Sequence, residues 1–303
     1  MLNGLKKVLI TGASGYVAAQ ILPTLKECYE TVLIDSANTN KEGAGVQGVQ
    51  IVDLIGDNRD DYRKFFDGVD TVVHLAYKRR KGHPIDHFVD EKKNVEMAYN
   101  VLRCSYDANV QRVIMASSNH AADWYEHALI HNRELDNLDP YTLPLSDNFY
   151  GWAKASYEHL GFIFACGSLG ELAPGRSESH VEGNIGTSRK MGVVMVRIGA
   201  PRHLNPIDYD DAATYKRDLG AYISPRDLTQ LFQKSIEAVD ITNNYGIPWQ
   251  VVYGISNNTR SFWSIKNARN ILGYCPKDDS EIKFSKDINN ILADDLGGRV
   301  GES

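Results

Sequence analysis

The 303 residues are 43% hydrophobic and 24% charged, the make-up of a globular chain long enough to bury its own core. A net charge of −6 argues against a general nucleic-acid binder, and no apolar run approaches the roughly 18 residues of a membrane span. Four scattered cysteines (Cys28, Cys104, Cys166, Cys275) form no Cys-x-x-Cys pair and the N-terminus carries no secretion-signal pattern, so buried thiols, no metal site and a cytoplasmic location are expected.

Lys7–Thr11 is a short apolar run, the pattern of a buried parallel strand. It runs into Gly12-Ala-Ser-Gly15-Tyr-Val-Ala18, and a helical stretch follows to about Cys28. Gly12 permits a tight turn, and Gly15 lets backbone N–H groups approach a pyrophosphate at the helix N-terminus. Ala18 is small enough for helix to pack on strand. Ser14, Tyr16 and Val17 join the two glycines in the expected cofactor-binding set. The next strand, Thr31–Ile34, ends in Asp35, at the distance of about 20 residues where a carboxylate meets the adenosine ribose. That carboxylate repels a 2′-phosphate, and no arginine follows in Ser36-Ala-Asn38. NAD is favoured over NADP.

Residues 36–48 read as loop, and Val49–Val52 as a third strand ending in Asp53-Leu54, placed to touch the adenine. A polar helix is expected around Arg59–Phe66, then a fourth strand, Thr71–Ala76, with Leu75 and Ala76 on the cofactor side. Alternating strands and helices imply a Rossmann-type doubly wound parallel sheet, an α/β fold with ligands at the carboxyl ends of the strands. Past the fourth strand come Tyr77 and the basic run Lys78-Arg-Arg-Lys81, either a solvated loop or an attractor for an anionic substrate. The long helix His87–Ala108 contains Asn94, counted among the cofactor contacts. The fifth strand, Arg112–Ala116, delivers Ser117-Ser118-Asn119-His120, a hydroxyl, an amide and an imidazole able to hydrogen-bond a substrate oxygen.

A loop from Asp136 to Asp147 leads to Tyr150-Gly-Trp-Ala-Lys154. Residues four apart share one helix face. A phenol with a pKa of about 10 is a poor base near neutrality, and a nearby ammonium favours the phenolate. Such a tyrosine can take a proton from an alcohol while the adjacent carbon is oxidised. Residues 167–190, rich in Gly, Ser and charge, read as a surface insertion. The sixth strand is Gly192–Ile198, and residues 199–222 form an irregular segment holding Lys216 and Arg217. Ser224-Pro-Arg-Asp227 opens a helix with Ser as N-cap and Pro at the first position. A last strand (Gln250–Gly254) and a helix over Ser261–Leu272 complete the pattern. The resulting division is an NAD-binding domain over 1–198, a small substrate-binding region over 199–286, and a flexible tail over 287–303.

In this order and spacing, Thr11-Gly-Ala-Ser-Gly-Tyr-Val-Ala18, Asp35, Asp53, Ser118 and Tyr150-x-x-x-Lys154 resemble the extended short-chain dehydrogenase/reductases. Ala116-Ser-Ser-Asn-His120, Arg197-Ile-Gly199, Val251–Asn258 and Leu272–Asp279 are similar to phrases of the uronate dehydrogenases and the NAD-dependent glucose-6-phosphate dehydrogenases of haloarchaea. The resemblance implies oxidation of the anomeric hydroxyl of a sugar to a lactone, with Tyr150 as base. It makes Lys154 the electrostatic partner of Tyr150 and a ribose ligand, Ser118 a donor to the reacting oxygen, and Asn119 and His120 holders of neighbouring hydroxyls. It aligns Arg217, five residues before Tyr222-Ile-Ser224, with an arginine that grips a substrate anion, carboxylate or phosphate.

Three departures fall on the expected substrate side: Ala200-Pro201 where a serine is usual, a longer loop before Arg217, and the bulky Tyr77 where a small residue is usual. Met97 also replaces a usual glycine. The expected activity is that of an NAD-dependent dehydrogenase for an anionic aldose, a uronate or a hexose phosphate. The alternative is a nucleotide-sugar epimerase or dehydratase with tightly held NAD, and a third reading is an NAD-sensing binding protein. The expected partner is a small sugar, neither nucleic acid nor membrane, and a homodimer is the habit of the resembled family.

Overall fold

The computed structural model describes residues 5–56, 58–169 and 189–292. In chain order it forms β1 (Lys7–Thr11), α1 (Tyr16–Cys28), β2 (Glu30–Asp35), β3 (Val49–Ile51), β4 (Thr71–His74), α2 (His87–Asp107) and β5 (Arg112–Ser118). There follow α3 (Phe149–Ala165), β6 (Gly192–Ile198), α4 (Ala212–Ala221), α5 (Pro225–Glu237), β7 (Trp249–Gly254) and α6 (Ser285–Leu292). The strands make one seven-stranded sheet in the order β3-β2-β1-β4-β5-β6-β7, with parallel register from β3 across to β5. Every residue of β4 and β6 is buried, as befits strands covered on both faces. This is the doubly wound α/β fold the sequence implied. The order reverses direction between β1 and β4, where such sheets bind ligands beyond the strand ends.

Two compact units interleave along the chain. The first takes residues 1–115, 156–195 and 239–250, and the second residues 116–155, 196–238 and 251–303, so α3 and three strands each run from one unit into the other. In the first unit, Val8, Leu9, Ile10, Ile21, Leu25, Val72 and Val73 are sealed from solvent. A Cβ on Gly161 of α3 would lie 2.2 Å from Met195 Cε, so glycine sets how closely helix and strand β6 approach. In the second unit, aromatic rings dominate: Tyr215, Tyr222, Tyr253, Phe262, Trp263 and Phe284 share one buried cluster.

Local structure departs from the sequence reading in four places. Arg59–Phe66 is two short 3₁₀ turns, with only Tyr62 and Phe66 of its residues buried. The segment 199–222 contains α4, capped by Asp211, whose Oδ1 accepts from Thr214 N–H at 2.7 Å, and anchored by buried Tyr215 and Leu219. The helix expected over Ser261–Leu272 is a single π turn, Ala268–Leu272, closed by Gly273 in the left-handed region at φ 71°. Beyond Asp287 the chain continues helically to Leu292, with Ile288 buried in the aromatic cluster. The insertion at 167–190 lies almost wholly outside the described residues. Its last described part is anchored, since Arg189 donates to Val110 O at 2.9 Å and Tyr106 O at 2.7 Å.

Helix α5 starts as the sequence indicates, with Ser224 Oγ accepting from Asp227 N–H. Asp227 has a second task. Fully buried, its carboxylate accepts from Ser256 Oγ at 2.7 Å, Lys277 N–H at 2.9 Å and Asp278 N–H at 3.0 Å. It thereby ties α5 to the segment after β7 and to the 277–278 segment. Replacing Asp227 with Ala strands these buried donors and is expected to lower unfolding free energy by about 3 kcal/mol, read by urea denaturation; an unchanged midpoint would refute the assignment.

Candidate active site

On the cofactor side, all within the first unit, β1 delivers Gly12 at φ 69°. A Cβ there would lie 2.5 Å from Ala76 N, so the turn tolerates no side chain and its backbone stays bare. Gly15 follows at the N-cap of α1, with Tyr16 exposed, Val17 half-buried and Ala18 fully buried. Asp35 is locked against this turn: Oδ2 accepts from Ser14 N–H at 2.9 Å, and Oδ1 from Ser36 N–H at 2.7 Å. Ser14 Oγ donates to Ala37 O at 2.8 Å, closing the same corner. A carboxylate offers about four lone-pair sites, so Asp35 keeps capacity for ribose hydroxyls. The bare turn and the tied carboxylate fit NAD.

Around this corner the remaining expected contacts divide. Asp53 is exposed and closes a turn, accepting from Ile55 N–H at 2.9 Å, whereas Leu54 is buried and offers no exposed side chain. Leu75 and Ala76 flank Gly12, with Leu75 N–H donating to Thr11 O at 3.1 Å. Asn94 is spent elsewhere. Its Oδ1 accepts from Lys78 N–H at 2.8 Å, and its Nδ2 donates to Lys78 O at 2.9 Å and to Glu91 Oε2 at 3.1 Å. Its amide therefore fixes the loop after β4. Tyr77, expected against substrate, donates its hydroxyl to Glu91 Oε1 at 2.6 Å. The basic run is answered by the same helix, Lys78 and Arg80 lying 3.9 Å from Asp90 and 3.4 Å from Glu91. Sequence reading missed Glu91, a carboxylate on the inward face of α2 with no exposure at all. It also missed His74, whose buried Nδ1 meets Thr11 Oγ1 at 2.7 Å.

The second unit brings the chemical residues together. At the end of β5, Ser118 turns the chain into a short 3₁₀ helix, Asn119–Ala122, its Oγ accepting from His120 N–H at 3.3 Å. Ser118 and Asn119 are buried, and Asn119 Nδ2 has no hydrogen-bond partner among the described residues. Asn148 caps α3 by accepting from Gly151 N–H at 2.9 Å. A Cβ on Gly151 would strike His120 O at 2.0 Å, so glycine alone lets this helix start against the 3₁₀ turn. One turn into α3, buried Lys154 donates to Ala116 O at 2.9 Å and holds its ammonium 5.7 Å from the Tyr150 ring centroid. His120 meets the same ring edge-on at 5.6 Å.

Behind this set lies a network that sequence reading did not foresee. His120 Nδ1 donates to Asp123 Oδ2 at 2.7 Å, and Asn148 Nδ2 donates to that oxygen at 2.9 Å. Burial works to raise the Asp123 pKa, yet these hydrogen bonds and the charges of His120 and Arg217 hold it below the usual carboxylate value. Arg217 gives Nε to Glu126 Oε1 at 2.7 Å and Nη2 to Oε2 at 2.9 Å, a bidentate pair, and Nη1 to Asp218 Oδ1 at 3.1 Å. Its guanidinium also covers Trp263 at 5.1 Å. The expectation of a fork open to a substrate anion therefore meets a fork already filled by an internal carboxylate. Glu126, His127 and His131 also group within 4.8 Å, with both oxygens of Glu126 facing Arg217 and His127 meeting Asp147 at 2.6 Å.

A bare glycine turn opening a helix, a carboxylate closing the second strand and a tyrosine–lysine pair on one helix face define an NAD-dependent oxidoreductase acting on CH–OH groups. Residues 8–164 match the profile of the NAD dependent epimerase/dehydratase family. The chain is 30% identical over 282 residues to an NAD-dependent glucose-6-phosphate dehydrogenase of Haloferax volcanii, covering 90% of this chain and 94% of that protein. It is 26% identical to an L-arabinose 1-dehydrogenase (NAD(P)(+)) of the same organism, covering 90% and 97%. A solved mutated uronate dehydrogenase superposes with a TM-score of 0.68 at 25% identity, covering 94% of this chain and 86% of that one. The chain belongs to the NAD dependent epimerase/dehydratase family. Replacing Gly12 with Ala should weaken NADH binding by about tenfold or more, because a Cβ forces the turn away from Ala76; an unchanged affinity in a fluorescence titration would remove the turn from the cofactor site.

Proposed function

We propose that the protein oxidises the anomeric hydroxyl of a sugar to the lactone, with Tyr150 as the base. The observation that carries this reading is the cluster at the end of β5: Lys154 and His120 both beside the Tyr150 ring, with buried Ser118 and Asn119 on the adjoining turn. The relatives support the substrate class, since all three act on sugars by their names and one at position 1.

When bound, NAD supplies the acceptor for the hydrogen and electron pair leaving the anomeric carbon. The chain supplies the rest. Tyr150 Oη takes the hydroxyl proton, and the Lys154 ammonium stabilises the phenolate that does so. Lys154 is held in place by Ala116 O and keeps further N–H donors for a ribose hydroxyl. Ser118 Oγ donates to the reacting oxygen as it gains carbonyl character. Asn119 Nδ2, buried with no partner among the described residues, supplies a donor for a neighbouring hydroxyl. Because a carboxylate only accepts, the proton shared with Asp123 belongs to His120 Nδ1, which leaves Nε2 to hydrogen-bond a second hydroxyl.

The test is NADH production at 340 nm from NAD and a panel of aldoses and aldose derivatives, in the wild type and in Tyr150→Phe. Turnover on a sugar should fall by about 10²- to 10⁴-fold in the variant with NAD affinity nearly kept, because only proton transfer is removed. Equal activity in the variant would sink the role of Tyr150. NAD retained through purification with no net NADH formed would point instead to an epimerase.

A further inference from the structure

Arg217 is the cation nearest in kind to a carboxylate grip, and the structure shows what already fills it. Glu126 meets the guanidinium through two parallel N–H···O bonds, the arrangement in which a carboxylate binds arginine most specifically. Asp218 takes Nη1, and also accepts from Tyr209 Oη at 2.9 Å and from Arg202. Neither Arg217 nor Glu126 has solvent to fall back on: their side chains are 12% and 2% exposed. A substrate carboxylate taking this fork would leave Glu126 buried with no guanidinium opposite, which is far costlier than breaking an exposed pair.

The network is close to the chemistry. His120 meets the Tyr150 ring edge-on, Asp123 holds His120, and Glu126 lies one helical turn beyond Asp123 in the same unit. Across Asp123, Glu126 and Asp218 on one side and Arg202 and Arg217 on the other, three carboxylates face two guanidinium groups. Asp123 Oδ1 is also buried with no hydrogen-bond donor among the described residues. An acceptor left over in such a place is satisfied by a hydroxyl donor, which a polyol has, and repels a carboxylate or a phosphate. In the first unit, Lys78 and Arg80 of the basic run lie near Asp90 and Glu91.

Resting on the reading of this site as a sugar dehydrogenase, we infer that the substrate is a neutral aldose, and that Glu126 is the residue that sets this choice by occupying Arg217 in place of a substrate anion. The anionic aldose expected from the resemblance is thereby replaced by its uncharged counterpart. Glu126 acts through Arg217 and is a specificity-determining residue, not a catalytic one.

The experiment compares kcat/KM for the matched pairs galactose and galacturonate, and glucose and glucuronate, in wild type and in Glu126→Gln. Wild type should favour the neutral member of the productive pair by about tenfold or more, and Glu126→Gln should move the ratio toward the uronate by a similar factor, since the amide keeps the shape and frees the charge of Arg217. A wild-type preference for the uronate, or a ratio the variant does not move, overturns the proposal. Calorimetric titration of the same sugars onto Tyr150→Phe with NAD reads the preference without turnover, and does not depend on how well Glu126→Gln folds. Tighter binding of the neutral sugar there upholds the inference. Tighter binding of the uronate, or no binding of either, overturns it. Neutral-selective binding with no oxidation by wild type would sink the dehydrogenase reading alone.

Discussion

A carboxylate taken out of water must be met by donors or by a cation, and this chain uses that requirement repeatedly to fix backbone. Glu91, fully buried on α2, is met by Tyr77, Asn94 and Arg80, and so pins the loop after β4. Asp123 is met by His120 and Asn148, which joins the 3₁₀ turn after β5 to the cap of α3. Glu126 is met by Arg217, and Asp227 by Ser256 and two backbone amides. Each of these acids sits at the junction of two separate segments. Tyr150 depends on one of them directly, because Asn148, held by Asp123, is the residue that starts its helix.

The features readable from sequence are those whose cause is local. Gly12 announces a positive φ and a close approach, and the structure supplies both, with Ala76 filling the space a Cβ would need. Asp35 follows from its distance to the glycines, and its carboxylate is bound to that turn through Ser14. The apolar runs at β4 and β6 give a parallel sheet, and Ser224-Pro225 gives the start of α5. Tyr150 and Lys154 share a face because helical geometry puts them there.

What escaped sequence reading is set by pairing at a distance. Arg217 and Glu126 are 91 residues apart, and nothing near Arg217 in sequence says that its charge is spoken for. The Asn94 amide looks equally able to meet a cofactor or a backbone; only the fold shows that Lys78 takes both ends of it. Helix α4 does carry local signals, with Asp211 at its cap and Tyr215 and Leu219 one turn apart. The π turn at Ala268–Leu272 has no local signal of which we have a physical account.

The same distinction bears on how such a scaffold changes substrate. Tyr150 is placed by short-range geometry: a cap, a glycine at 151 and a lysine one turn on. The charge around Arg217 rests instead on pairing at a distance, which a single acid can reverse without moving the backbone. An arginine whose fork is empty invites a carboxylate or a phosphate, whereas the same arginine facing a built-in glutamate is electrically closed and serves to orient its neighbours. Arg217 holds Glu126 and Asp218 and adds to the field that lowers the Asp123 pKa, and Asp123 in turn holds His120 beside Tyr150. Resemblance locates the arginine, but its partner decides what it does: a residue that binds substrate when its fork is empty becomes, with Glu126 in place, part of the frame that holds the histidine.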